Sequence, residues 1–141
     1  MKSMRIFSYS LLSISLILLL FSSCSTSEKK VVEQKLEVNG GTLYFTENVD
    51  SAQAIQLADF LAKDNLYFDG TQRTVKLDKK GDTFLFMAKL DDKAAADSNY
   101  IVPYKAMGKI ISQQVLTYQP VEVHLCNEKF ETVRRIPFTM R

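Results

Sequence analysis

The chain has 141 residues, 46% of them hydrophobic, with 18 Lys and Arg against 16 Asp and Glu, one His and two Cys. That length is one domain's worth of chain, enough for a core without crosslinks. The near-balance of charge gives no general electrostatic reason to bind nucleic acid, and one His with two Cys excludes both a disulfide framework and a zinc cluster built from those residues alone.

Lys2 and Arg5 give the chain a positive start, and Ile6 to Phe21 follows as an apolar run of sixteen residues interrupted by four serines and Tyr9. A membrane-spanning helix needs about 20 apolar residues, so this run is short and weakly apolar for that role. A basic start, a short apolar stretch and small residues before a cut are the marks of an export signal. The segment closes on Phe21-Ser22-Ser23-Cys24. This ending resembles the lipobox of bacterial lipoproteins, with Phe21 where Leu is usual. The resemblance implies a signal peptide over 1–23, removed to leave a Cys24 that carries diacylglycerol and palmitate-type acyl chains. Each buried methylene contributes about 0.8 kcal/mol, so two or three chains hold a soluble domain on a bilayer where one does not. Ser25, directly after the cysteine, lacks the aspartate that retains some lipoproteins at the inner membrane; the expected location is the outer membrane, facing the periplasm.

Loss of residues 1–23 removes Lys2 and Arg5 and no acid, leaving 16 basic against 16 acidic residues. With Cys24 acylated, Cys126 is the only remaining thiol and no internal disulfide can form. Residues 24–34 read as a lipidated start and polar tether, which if extended holds the domain about 30 Å from the acyl chains. The folded domain is expected over 35–141.

Within it, Leu36 and Val38 alternate with polar residues, Asn39-Gly40-Gly41 turns, and Leu43 and Phe45 resume the alternation, a hairpin pattern. Asp50 or Ser51 caps a helix to about Lys63, with Ala54, Leu57, Ala58 and Leu61 on one face. Asp69-Gly70 marks a turn. A second hairpin pairs Val75 and Leu77 with Phe84, Phe86 and Ala88 around 78–82, and 91–97 reads as a connection. A second helix runs to about Leu116, with Tyr104, Met107, Ile111 and Val115 near one face and Pro103 confined to its first turn. The last hairpin joins Val121, Val123 and Leu125 to a strand within 132–138 through Asn127-Glu128-Lys129.

The expected class is therefore α+β, in the order ββ-α-ββ-α-ββ. Its expected form is an antiparallel sheet of five to six strands with two helices over its apolar face, and a ferredoxin-like core is the specific topology it favours. Val75-Lys76-Leu77 and Val123-His124-Leu125 lie about 48 residues apart and look like a diverged helix-and-hairpin repeat. Leu43-Tyr44-Phe45, the Ala54 to Leu61 helix, Tyr67-Phe68-Asp69-Gly70 before Thr74-Val75-Lys76-Leu77, and Pro120 to Cys126 together resemble a module of uncharacterised bacterial extracytoplasmic and membrane-attached proteins. The likeness covers most of residues 36–136 and implies one intact domain, with no known activity attached.

His124 and Cys126 are the only candidates for soft-metal or nucleophilic chemistry. Two apart on a strand, they share a face and can approach one ion, with Glu122 or Glu131 as recruitable acids. Zinc and copper sites normally take three or four ligands, so a structural thiol on a partly buried face is the preferred reading. Nucleophilic catalysis needs a base held by a third group, and two parallel side chains on one strand do not make that contact easily. Lys76, Lys79, Lys80, Arg134, Arg135 and Arg141 are interleaved with Asp78, Asp82 and Glu131, as ordinary solvated strand faces are. Tyr44, Phe45, Tyr67, Phe68, Tyr100 and Tyr104 are expected mainly in the core, an exposed subset marking a partner patch.

No catalytic, metal or cofactor residue is assigned. The expectation is a lipid-anchored, non-catalytic binding or accessory module that contacts another envelope protein and no nucleic acid, with a free sheet edge near 132–138 as one docking route. The alternative is a small-ligand or metal carrier using the His124/Cys126 face. A small hydrolase ranks last and requires a deep polar cleft.

Overall fold

A computed structural model describes residues 31–139. The expected signal segment 1–23, the acylated Cys24, the tether up to Lys30, and Arg141 lie outside these residues.

Three hairpins supply the sheet. The first joins β1 (Glu33–Val38) to β2 (Gly41–Thr46), the second β3 (Thr74–Lys80) to β4 (Thr83–Lys89), and the third β5 (Val121–Cys126) to β6 (Thr132–Ile136). Asn39 and Gly40 both take positive φ, as a two-residue turn between twisted strands requires. Between the hairpins lie α1 (Ser51–Ala62), then a short α2 (Asp92–Ala96) followed by α3 (Ile101–Gln114). The Asp50 carboxylate accepts from the Ala52 N–H and starts α1, which buries Ala54, Leu57, Ala58 and Leu61. Asp91 caps α2 in the same way. The segment expected as a plain connection is therefore partly helical, a third helix that makes the order ββ-α-ββ-αα-ββ. Ser98–Tyr100 forms a 3₁₀ turn, so α3 begins at Ile101 and Pro103 falls in its first turn.

The six strands lie side by side in chain order. Each hairpin is antiparallel within itself, but β2 lies parallel to β3 and β4 parallel to β5. The expected antiparallel sheet is thus corrected to a mixed one. A helix returns the chain to the end where the preceding strand began, so a strand laid directly beside that one must run the same way. The ferredoxin-like topology is corrected for the same reason, since there a helix joins strands that are not neighbours. The repeat has a clear counterpart: β3 and β5 each follow a helix, lie parallel to the strand before it and open a hairpin.

Alternate strand residues form one buried face. Phe45, Leu77, Phe86, Val123 and Ile136 are neighbours in register across five strands, with Leu43, Val75, Ala88 and Leu125 beside them. These residues share a core with Leu57, Leu61, Ala95, Tyr104 and Ile111, so the helices cover this face of the sheet. Gly108 allows the close approach of α3, since a Cβ there would lie 2.7 Å from the Val123 Cγ2 methyl. No described helix is long and apolar enough to cross a membrane.

The two outer strands differ. β6 pairs Leu125 with Arg134 and Cys126 with Thr132, leaving Val133 as the extra residue of a bulge. With Pro137 following, the edge expected near 132–138 is a poor template for an added strand.

Candidate functional site

The opposite face of the sheet is where the chemistry-bearing side chains gather. Lys35, Tyr44, Lys76, Met87, His124 and Arg135 are successive neighbours in register, one from each strand. Asp78, Leu85 and Glu122 form a second, partly acidic row beside them. Ion pairs join the rows: Lys76 meets Glu33, and Arg135 grips Glu122 with Nε at 2.5 Å from Oε1 and Nη2 at 2.8 Å from Oε2. Lys35 pairs along its own strand with Glu37. Of the interleaved charges read from the sequence, Lys76, Asp78 and Arg135 lie on this face, whereas Lys79 lies over the Phe84 ring and Arg134 donates to the Ala96 carbonyl on the side of the helices.

His124 is the hub of its own strand. Its Nε2 lies 2.6 Å from Glu122 Oε1 and its Nδ1 2.9 Å from the Thr132 hydroxyl. Glu122 is nearly buried, yet its carboxyl is held below the ordinary range, first by the Arg135 hydrogen bond and then, against burial, by His124. Cys126 is 0% exposed and its thiol lies 4.0 Å from the same Thr132 hydroxyl. Burial pushes the thiol up despite Thr132 and the nearby Lys76 charge, which leaves it a poor nucleophile at neutral pH. Glu131 is turned away to Asn127 Nδ2 at 2.7 Å. Both ring nitrogens of His124 therefore have partners, and no group of three His, Cys, Asp or Glu among the described residues is placed to hold a metal ion.

One residue of this face was not singled out from the sequence. The Asn127 side chain accepts from the Lys129 and Glu131 N–H groups, and Phe130, at φ 59°, is turned back over the sheet. Its ring meets Tyr44 edge-on at 6.3 Å, with the Lys76 and Lys89 ammonium groups 5.8 and 6.0 Å from its centroid. The only sequence signal was an aromatic residue inside a polar turn.

The remaining aromatics divide as follows. Phe45, Tyr67, Phe68 and Tyr104 are buried, Tyr44 lies on the open face, and Tyr100 is at the surface. Tyr67 and Tyr104 join hydroxyls at 3.1 Å within the core, and the Arg73 guanidinium lies over the Tyr67 ring at 5.1 Å. The Tyr67-Phe68-Asp69-Gly70 stretch is thus structural: Asn39 Nδ2 donates to the Phe68 carbonyl at 2.5 Å, and Gly70 N–H donates to the Asn39 carbonyl at 3.1 Å.

Three concavities lie elsewhere among the described residues, and one of these, of about 830 Å³ between α1 and the end of α3, has Asp59 as the one carboxylate in its lining. A groove of about 560 Å³ between α3 and β6, floored by Gly108, Val121, Val123 and Ile136, contains no carboxylate, histidine or cysteine in its lining. A polar pocket of about 490 Å³ by the first turn has Glu37 as its one carboxylate. Each of the three has at most one carboxylate and no histidine or cysteine in its lining. The chemistry-bearing side chains of the described residues are thus concentrated on the open face of the sheet.

A family model described as the AF_1994_N family N-terminal domain matches residues 35–136. No curated protein and no solved structure matches the chain.

Proposed function

The chain belongs to the AF_1994_N N-terminal domain family, and on that premise we propose that it is a lipid-anchored, non-catalytic binding module, held at the periplasmic face of the outer membrane through Cys24, which docks its open sheet face on another envelope protein. The observation that carries this reading is the contrast between the faces. One is covered by helices, while the other carries a row of basic and aromatic side chains held by ion pairs and by the edge-on contact of Tyr44 with Phe130. Side chains ordered beforehand lose less entropy on binding, and exposed Tyr and Arg are the residue types that dominate recognition energy. The lipid gives the address: it confines the domain to one membrane surface, where partners are also confined.

The test is affinity purification of the full-length protein from gently crosslinked envelopes, beside Cys24→Ser and a Tyr44→Ala/Arg135→Ala variant. An alkyne-palmitate label on the parent protein but not on Cys24→Ser supports the anchor. The same envelope protein recovered with the parent and lost with the open-face variant supports the docking surface. Unlabelled parent protein contradicts the first half, and undiminished recovery with the open-face variant contradicts the second.

A further inference from the structure

β1 is an uninterrupted strand at one end of the strand order. It is regular, pairing with β2 from Glu33↔Thr46 to Val38↔Gly41 without interruption, and it contains neither bulge nor proline. Its outer side has no neighbouring strand among the described residues. The phase of that side follows from the turn. Thr42 N–H donates to the Arg73 carbonyl at 2.9 Å, so Thr42 turns its backbone toward β3 and away from β1. In an antiparallel ladder its partner Glu37 then turns away from β2, and by alternation so do Lys35 and Glu33.

An incoming strand therefore meets the backbone of Glu33, Lys35 and Glu37, and their side chains, which within one copy pair Glu33 with Lys76 and Lys35 with Glu37, are the charges it must match. Two copies of β1 related by a two-fold axis run antiparallel. The register that sets Lys35 against itself also sets Glu33 against Glu37, like against like. Moving it by one strand repeat removes the clash in either direction: one way sets Lys35 opposite Glu37 and leaves the exposed Val32 unpaired with any apolar residue, the other sets Glu33 opposite Lys35 of the second copy, and the reverse by symmetry. On the other face this same register lays Val32 against Leu36 twice. Val32 is 57% exposed and Val31 55%, an apolar start to the strand that nothing described covers. Opposite charges and apolar pairs directly across strands each stabilise pairing.

We infer that the β1 edge is an interface between two copies of this chain, joined antiparallel with Glu33 facing Lys35 and Gln34 facing Gln34 across the two-fold axis, so that the two sheets become one. This does not rest on the open-face reading: Glu33 and Lys35 border the open face, but the pairing is made by the outward backbone of β1.

The geometry is tested in intact envelopes with the full-length chain. Gln34 lies at the two-fold, in a pair without mutual hydrogen bonds, where Cα atoms approach to about 4.5 Å, within disulfide reach. Gln34→Cys, exposed to a mild oxidant, is expected to give a covalent dimer. Adding Lys35→Glu should reduce the yield several-fold, and the swap Glu33→Lys/Lys35→Glu should restore it. No Gln34→Cys dimer, or a yield indifferent to Lys35→Glu, overturns the interface. A dimer formed instead through Leu36→Cys overturns this register, because there Leu36 faces itself.

Discussion

The ring of Phe68 occupies the space that a side chain at Gly41 would take: a Cβ built on Gly41 falls among the ring atoms. Phe68 is fully buried, so the ring has nowhere to retreat. Gly41→Ala should destabilise the domain by about 1–3 kcal/mol through overpacking, and Phe68→Ala by about 3–5 kcal/mol through the cavity it leaves. The double variant should cost clearly less than the sum, because the new methyl enters the vacated space. Urea denaturation of the four proteins measures this; strict additivity would mean that the two residues do not compete for one site.

Glu122 and Asp78 predict how stability depends on pH. Glu122 is lowered by Arg135 and then His124 against burial. At Asp78 burial raises the carboxyl, but hydrogen bonds from Thr46 at 2.5 Å, Asn48 at 3.1 Å and the Lys79 N–H at 2.8 Å outweigh it. Both fold with depressed values, so the unfolded chain takes up protons first as pH falls. Their contribution is complete above the unfolded carboxylate values of about 4 and disappears as pH drops through the folded ones. Glu122→Gln should flatten the acid limb of a stability-versus-pH curve. Its cost near pH 7 should be about 1 kcal/mol or less, since Arg135 is 67% exposed in its side chain. A curve as steep as the parent's would exclude Glu122 from the acid transition.

Asp69 gives a local check on the same physics. The Thr71 hydroxyl and N–H, followed by Arg73, hold its carboxyl at about 2. Thr71→Ala should move the NMR titration midpoint of Asp69 upward toward the ordinary carboxylate range. An unmoved midpoint would assign the depression to something other than this turn.

Burial raises both phenols of the Tyr67–Tyr104 pair, and their hydroxyls satisfy each other in the core. Their phenolate absorbance should therefore appear only above the usual range around pH 10. Tyr104→Phe should cost about 1 kcal/mol by removing the hydroxyl–hydroxyl bond while Arg73 stays bonded to Tyr67, and Tyr67→Phe/Tyr104→Phe should cost less than the two single changes together.

His124 and Cys126 are occupied by Glu122, Thr132 and burial rather than held open for a ligand. Zn(II) and Cu(I) titrations should accordingly give the same weak binding for the parent and for His124→Ala/Cys126→Ser. A tight site lost in the double variant would support the carrier reading instead.

Local chemistry was legible in the sequence and long-range placement was not. Asn39-Gly40 announced its turn, Asp50 its cap, and the alternation of Val75 and Leu77 against Phe84 and Phe86 its buried face, because each depends on neighbours in the chain. The parallel contact of Phe45 with Leu77 depends on where α1 returns the chain, which no local pattern encodes. The five residues of α2 are too few to announce a helix by periodicity, and its alanines read equally well as a linker. His124 and Cys126 were correctly placed on one strand, but Thr132 reaches both of them, and Arg135 reaches their neighbour Glu122, from the next strand. A candidate pair became a satisfied network only when those residues were in place.

The most direct test of the docking surface is site-specific photocrosslinking of the full-length protein in its own envelope. A photoreactive residue replaces Met87, between Lys76 and His124 on the open face, or Asp59 on the exposed side of α1. The account predicts one discrete envelope-protein adduct from position 87 and none from position 59. No adduct from 87, or the same adduct from both, would contradict it.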